Sequence, residues 1–462
     1  MQTKNPLINA KPYLNQTALV IGLARSGIAA AALIHAAGGR VLLYDRKSRE
    51  ELGDLSELDK LERVSWHLAE EIAPLYQQAD FAIISPGIPP DAPDIRGALL
   101  SGLPLHGELV FASAFAPCPM YAVTGTNGKT TTVSLLGDMM EKGGYLTHVA
   151  GNIGYPLSAA VLDASPDDRI VVEVSSFQLE TARTFHPKAA AILNITPDHL
   201  DRHGSMENYI ALKKKIFANM KAEDTLVLNA NDADCAKMGE NCSAQLLWFS
   251  AVSELDRGAF LRDGQIVIRI HGEERMVCPA QEVRIPGRHN LENALAASAM
   301  AAAADIPAPV IRHSLRTFAG VEHRMEYVRQ VDQVWYINDS KGTNPDSTQR
   351  AVEAMSVPTV LILGGRDKHI PYDALAATIK NSAFIQHIVL IGEAADIIRE
   401  ALNKHVVVRM TRAHSLEDAV LQGKEHAVPG GAVLLSPACA SFDMFKDYEE
   451  RGRCFKAIVQ SL

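Results

Sequence analysis

The sequence predicts an α/β fold of three domains in series, each a parallel sheet covered by helices. Three observations carry this. Short apolar strands alternate with helical patterns from end to end, the signature of βαβ units. A strand, a glycine-bearing loop and a helix recur in that order near residues 18–37, 120–143 and 387–402. Joints at Ala116-Pro117-Cys118-Pro119, Ile285-Pro286-Gly287 and Thr317–Val321 divide 462 residues into pieces of roughly 110, 210 and 140, each of ordinary domain size.

Composition narrows the function. With 47% hydrophobic and 21% charged residues the chain is an ordinary globular protein, not disordered, coiled-coil or collagen-like. Lys and Arg number 45 against 54 Asp and Glu, a net charge of -9, which argues against a duplex-coating nucleic-acid protein. Six cysteines without a CxxC pair argue against a disulfide framework or zinc knuckle and fit a reducing cytosol. The opening MQTKNPLINAKPYLNQ lacks the apolar core of a signal peptide. The small-apolar stretch Ala294–Ala304, broken by Ser298, is shorter than the ~20 residues that span a bilayer. A soluble, cytoplasmic protein is expected.

Taken in order, Ala18–Ile21 reads as a buried strand, and Gly22-Leu-Ala-Arg-Ser-Gly27 opens an Ala-rich helix stopped by Gly38-Gly39. A second strand, Val41–Tyr44, ends in Asp45, close to a dinucleotide fingerprint with its ribose-binding acid. The middle glycine is Ala24, and a methyl there hinders the approach of a pyrophosphate. Three readings stay open for this loop: NAD or FAD, another nucleotide diphosphate, or a purely structural βαβ unit. A further strand, Phe81–Ile84, runs into Ser85-Pro86-Gly87, where ligand crevices of doubly wound sheets lie.

Met120–Val123 is a strand, followed by Thr124-Gly-Thr-Asn-Gly-Lys-Thr130 and a helix to Lys142, with Val133, Leu136 and Met140 on one face. This is a shortened P-loop, because Val123 stands where the full pattern has its first glycine. Its N–H groups would cradle phosphate, Lys129 would reach the β/γ-phosphates, and Thr130 would ligate Mg²⁺. The strand Ile170–Val174 carries one carboxylate, Glu173, costly in a buried strand unless paired or metal-bound, so it is a second Mg²⁺ candidate. The alternative is an edge strand with Glu173 in solvent.

Ala189–Leu193 runs into Asn194-Ile-Thr-Pro-Asp-His-Leu-Asp-Arg-His203, which Pro197 and Gly204 mark as a loop. His199 and His203 have a zinc-like spacing but no third soft ligand, and a hard Mg²⁺ aided by one imidazole fits better. On a helical wheel over 205–220, Lys213 falls within the apolar stripe of Tyr209, Ile216, Phe217 and Met220, while Lys214 and Lys215 fall outside it. Desolvation lowers a lysine's pKa, so Lys213 is either a functional or ion-paired amine or a snorkelling stem.

In the last third, strands Val334–Ile337, Val360–Leu363 and Val433–Leu435 end in loops bearing Asp339, Lys341, Thr343, Lys368 and Ser441. Cations and hydroxyls at one rim suit a small carboxylate ligand, and solvated turns are the bland alternative. Cys439, among small residues, reads as core rather than nucleophile.

Together TGTNGKTTT, VVEVSSFQLE, NITPDHLDRHG with Tyr209 and Lys213, PGRHNLENALAA, EHRME, NDSKGTN, LILGGRDK and LLSPACASFDMFKDYEERG resemble the Mur ligase family, in order and over nearly the whole chain. DSKGTN with SPACASFD resembles its branch that adds D-glutamate to UDP-N-acetylmuramoyl-L-alanine. The resemblance implies a Rossmann-like UDP-substrate domain (1–108), a central P-loop-type ATPase domain (109–320) and a Rossmann-like amino-acid domain (321–462). It implies ATP-driven amide formation through an acyl phosphate and a tetrahedral intermediate, in cytoplasmic peptidoglycan precursor synthesis. Two Mg²⁺ ions are implied, one on Thr130 and Glu173, the other on His199 and a carbamylated Lys213, with Lys129 on the phosphates.

It further assigns ATP to Gly125, Thr126, Asn127, Gly128, Lys129, Thr130, Asn293, Arg324, Asp339 and Lys341. UDP-substrate contacts fall to Arg25, Ser26, Asp45, Arg46, Ser85, Gly87 and, in Ala150-Gly151-Asn152-Ile153-Gly154, Asn152. D-glutamate falls to Thr343, Lys368, Ser441 and Tyr448, the last standing where some members have Phe. Small-molecule substrates, no nucleic acid, no membrane insertion and a monomer are expected. A nicotinamide oxidoreductase resting on residues 18–45 alone, and a nucleotide-binding switch without ligation, are the competing classes.

Overall fold

The computed structural model describes residues 3–52, 54–89, 91–152, 155–285, 287–368, 370–404 and 408–462. Ile153, Gly154 and Pro286, parts of motifs singled out above, lie outside the described residues. The chain is mixed α/β and forms two compact units, Met1–Val283 with His289–Phe318, and Arg284–Arg288 with Ala319–Leu462.

The first unit holds two sheets. One is parallel and five-stranded, in the order Val64–Leu68, Arg40–Asp45, Thr17–Ile21, Phe81–Ile84, Leu105–Gly107. Its order reverses between Thr17–Ile21 and Phe81–Ile84, so the loops after these two strands flank the crevice where such sheets bind ligands. Ala18, Leu19, Val20 and Ile21 are all buried, as expected of a strand covered on both faces.

The second sheet has nine strands. Its parallel part runs Gln245–Ser250, Thr225–Asn229, Ala189–Ile192, Met120–Thr124, Arg169–Glu173, Thr147–Gly151. A hairpin extension, Gly258–Arg262, Gln265–Ile270 and Glu273–Pro279, completes the far edge. The helix Lys129–Lys142 buries Val133, Leu136 and Met140, the face read from the sequence.

The joint at 116–119 does not separate compact units. Helices Arg25–Ala36 and Glu108–Ser113 both pack on helix Leu157–Asp163 of the second sheet. One apolar cluster therefore runs from Ile8, Leu33 and Ile34 through Phe111 and Phe115 to Leu157 and Val161. Each such buried side chain contributes about 1.5–3 kcal/mol, so dividing the unit here would expose a shared core. The other two joints, near 285–287 and 317–321, fall where the two units part.

The second unit is a six-stranded sheet, ordered Glu326–Val331, Val334–Asn338, Ala432–Leu435, Thr359–Gly364, Ile385–Ile391, Arg409–Arg412, parallel except at its first pairing. Apolar clusters cover both faces. Its three central strands end side by side, which brings together the loops at 339–344, 365–368 and 436–441.

Candidate active site

The phosphate loop is shaped by residues without side chains. Gly125 (φ +149°) and Gly128 (φ +84°) adopt conformations that disfavour a Cβ, and one on Gly128 would lie 2.1 Å from Asn293 Oδ1. The Thr126 N–H donates to the Asn194 carbonyl (3.0 Å) and the Asn127 N–H to Asn194 Oδ1 (2.8 Å), so Asn194, four residues before the DHLDRH segment, latches the loop. Asn293 is buried on helix Arg288–Ala303 and donates to Asn290 Oδ1. Lys129 folds back over the loop, its ammonium donating to the carbonyls of Gly125 and Thr126 (2.9 Å each).

Glu173 ends an interior strand, not an edge one, and is 2% exposed. Thr130 Oγ1 donates to its Oε2 (2.8 Å) and Asn152 Nδ2 to its Oε1 (2.7 Å). Thr130, Glu173 and Asn152, chosen from three separate motifs, therefore form one cluster.

Lys213 is 1% exposed and donates to the Gly125 carbonyl at 2.9 Å, with its ammonium 4.6 Å from the Tyr209 ring centre. Burial, and then the neighbouring charge of Lys129, hold its pKa well below the usual lysine value. Lys214 and Lys215 are not buried, as the wheel required. The helix Met206–Lys214 tightens into a 3₁₀ turn at Lys215–Phe217, yet Ile216 and Met220 stay in the core with Lys213.

The segment expected to be a loop after Asp198 contains a short helix, Leu200–His203. Pro197 and Gly204 mark a loop in the sequence, and the helix is a single turn set between two residues at positive φ, His199 (φ +52°) and Gly204 (φ +77°). The His199 ring lies 4.8 Å from that of Phe177 and 3.4 Å from an Asp198 oxygen. Among the described residues, no three His, Cys, Asp or Glu side chains gather as a metal cage.

In the first sheet's crevice, Arg25 and Ser26 start the helix Arg25–Ala36 beside the extended Ala24. Asp45 accepts from the Leu23 N–H (2.8 Å) and the Lys47 N–H (3.0 Å), and Ser85 Oγ donates to the Gly22 carbonyl (2.8 Å). Arg46 pairs with Asp94 at 2.7 Å, and the Gly87 carbonyl accepts from Arg202.

In the second unit, Asp339 is 5% exposed, accepts from Ser436 Oγ (2.6 Å) and the Met325 N–H (3.2 Å), and burial pushes its pKa up to about 6. Arg324 lies close enough to offset part of that rise. The ammonium of Lys341 sits 5.6 Å from the Tyr448 ring centre, and Lys368 donates to Thr343 Oγ1 (3.2 Å). Ser441 Oγ is buried with no hydrogen-bond partner among the described residues.

Comparison with known proteins gives these residues a context. Family models match in chain order: "Mur ligase MurD-like, N-terminal domain" over residues 16–107, "Mur ligase middle domain" over 123–301 and "Mur ligase, glutamate ligase domain" over 323–439. A protein named UDP-N-acetylmuramoylalanine--D-glutamate ligase from Thermoanaerobacter sp. (strain X514) is 43% identical over 446 residues, 96% of this chain and 98% of its own. The chain belongs to the Mur ligase family. A protein of the same name from Pelotomaculum thermopropionicum is 44% identical, covering 98% of this chain and 99% of its own. The fold agrees with solved Mur ligases: UDP-N-acetylmuramate-alanine ligase from Thermotoga maritima aligns over 97% of this chain and 100% of its own, at TM-score 0.61 and 19% identity.

Three features of this Mur ligase escaped sequence reasoning. Arg202 grips Glu180 (2.9 and 2.6 Å), stacks 4.4 Å from the Phe177 ring centre and donates to the carbonyls of Pro86, Gly87 and Ile88 (3.3–3.4 Å), tying the DHLDRH segment to the first sheet's crevice. Buried His203 contacts Ser176 Oγ at 3.0 Å. Buried Arg451 donates to Ser340 and to the Cys439 carbonyl, pinning two loops of the second unit, and burial pushes its pKa down to about 10. Their partners lie 12 to 116 positions away in sequence, so no local pattern reports these contacts, although the spacing of His199 and His203 had drawn notice to the second histidine.

Proposed function

We propose that this chain is the ligase that joins D-glutamate to UDP-N-acetylmuramoyl-L-alanine with ATP. The observation that carries the reading is 43–44% identity, over 96–98% of the chain, to ligases bearing that name. The proposed domains are residues 1–108 for the UDP substrate, 109–320 for ATP and 321–462 for the amino acid. No helix among the described residues is long and apolar enough to cross a membrane. We place the enzyme in the cytoplasm as a monomer acting on small molecules.

A carboxylate is a poor acyl donor, so the reaction must give it a leaving group. The substrate carboxylate attacks the γ-phosphorus, the bond to ADP breaks, and an acyl phosphate forms. The neutral amine of D-glutamate attacks the acyl carbon, and the tetrahedral intermediate expels phosphate while the amine loses a proton to water.

Two anions meet in the first step, so fixed cations must lie beside them. Lys129 supplies one by exchanging loop carbonyls for β/γ-phosphate oxygens, which Gly125–Thr130 cradle with Asn293. Thr130 and Glu173 together offer hard oxygens, a set that suits Mg²⁺ alongside phosphate oxygens. When bound, Mg²⁺ offsets the phosphate charge. An unmodified Lys213 nitrogen, donating to Gly125, does not fit a metal. Its carbamate would, with His199, and burial favours the neutral amine that carbamylation requires. Asn152 orients the substrate near Glu173. Arg25, Ser26, Arg46, Ser85 and Gly87 line the UDP crevice, and Asp45 braces its loop. Arg324, Asp339 and Lys341 are assigned to ATP as well. Thr343, Lys368, Tyr448 and the unpartnered Ser441 hydroxyl hold D-glutamate.

The test is phosphate release from ATP with UDP-N-acetylmuramoyl-L-alanine and a panel of amino acids. Release is expected with D-glutamate alone. Release with a different amino acid and none with D-glutamate overturns the assignment.

A further inference from the structure

In the second unit, the loops that follow strands Thr359–Gly364 and Ala432–Leu435 are laced together. The Gly364 N–H donates to the Pro437 carbonyl (2.8 Å), and Arg366 and Ala440 exchange backbone hydrogen bonds (2.9 and 3.1 Å). Lys368 stands on the first loop and Ser441 at the end of the second.

One side chain completes the lacing. Tyr372, 5% exposed and directly before helix Asp373–Asn381, places its hydroxyl 3.0 Å from Asp367 Oδ1 and 3.2 Å from Cys439 Sγ. A carboxylate can only accept, so the single phenolic proton goes to Asp367 and the thiol donates to the phenol oxygen. Burial pushes the Cys439 thiol up to about 11, which keeps it an S–H donor at neutral pH. The order of donation is thus Cys439 to Tyr372 to Asp367.

The placement has a consequence for charge. Asp367 directly precedes Lys368, whose ammonium donates to Thr343 Oγ1. A carboxylate one residue from an ammonium competes with any anionic ligand for it, unless it is held elsewhere.

We propose that Tyr372 is a positioning residue for D-glutamate: its hydroxyl holds the Asp367 carboxylate away from Lys368 and fixes the Lys368 loop against the Ser441 loop. This rests on the D-glutamate reading above.

The experiment measures phosphate release at saturating ATP and UDP-N-acetylmuramoyl-L-alanine with D-glutamate varied, for wild type, Tyr372→Phe, Asp367→Asn and the double variant. Tyr372→Phe should raise KM for D-glutamate about tenfold, the scale of a lost hydrogen bond to a charged group, with kcat within about twofold. The double variant should return towards the wild-type KM, because the competing charge is gone. An unchanged KM in Tyr372→Phe overturns the proposal. So does a fall in kcat alone that Asp367→Asn fails to relieve, the pattern of a merely structural tyrosine. Absence of D-glutamate-dependent turnover in wild type overturns the ligase assignment itself, and this proposal with it.

Discussion

Lys129 and Lys213 donate to the same oxygen, the carbonyl of Gly125, each at 2.9 Å. One lysine opens the helix behind the phosphate loop and the other lies 84 positions on, in the core, so a single backbone carbonyl holds two ammonium groups. Their repulsion and the burial of Lys213 act in the same direction, towards a neutral amine at Lys213.

Lys213→Met should therefore separate stability from activity. The folded pKa of Lys213 lies below its unfolded value, so the unfolded chain binds the extra proton and stability rises with pH up to the ordinary lysine range. Measured against the unmodified protein, removing the amine should raise Tm at pH 7, while phosphate release falls by at least about 100-fold relative to the active enzyme, the scale of a lost electrostatic contact to the reacting groups. Near-normal turnover would refute any role for a modified lysine.

Glu173→Gln keeps the shape of the side chain but not its charge. The remaining oxygen can still accept from Asn152 Nδ2, and the new amide N–H can donate to Thr130 Oγ1, which turns from donor to acceptor, so the fold should persist with Tm almost unchanged. Turnover should drop by at least about 100-fold, and the Mg²⁺ concentration for half-maximal rate should rise. A variant with unaltered Mg²⁺ dependence would remove Glu173 from the metal site.

Asp339 carries a folded pKa of about 6, above the ordinary carboxyl value, because it is buried. The fold then holds the proton longer than the unfolded chain, and stability falls as pH rises from about 4 through 6. Asp339→Asn should show a gain in Tm that grows across this window, and impaired turnover. Thermal melts from pH 4 to 7 check it. A gain that shrinks with rising pH would contradict the burial argument.

His387 and His426 stack at 3.9 Å in the second unit, with Thr411 Oγ1 3.0 Å from His387. Burial first, then the charges of His426 and Arg409, push the His387 pKa down to about 4, with Glu425 opposing. The unfolded chain takes up this proton near pH 6.5, so stability is lost as pH falls from about 6.5 to 4. His387→Gln should flatten that part of the Tm–pH curve, and an unchanged slope would exclude the pair as its source.

Much of this was legible in the sequence because the signals are local. A glycine loop between strand and helix marks a phosphate cradle wherever it occurs, since φ > 0 and close approach both demand glycine. Helical periodicity picked Lys213 out of three consecutive lysines, because orientation on a helix follows from position alone. Glu173 stood out as the lone charge in an apolar strand.

Other features depend on what the fold brings together. The short helix after His199 is a single turn, set between Pro197 and Gly204, which mark a loop in the sequence. The sharing of one core by the first two sheets, despite a proline-rich joint, depends on which helices meet across it. The contacts of Arg202 with Glu180 and the 86–88 carbonyls, of Arg451 with the Ser340 and Cys439 loops, and of Tyr372 with Cys439 join residues from separate motifs. Sequence by itself determined the fold class, the phosphate loop and the identity of the charged groups, because these follow from local spacing and hydropathy. Only the tertiary structure decided which charges meet, since strand order and helix packing, not chain position, set the distances over which hydrogen bonds and burial act.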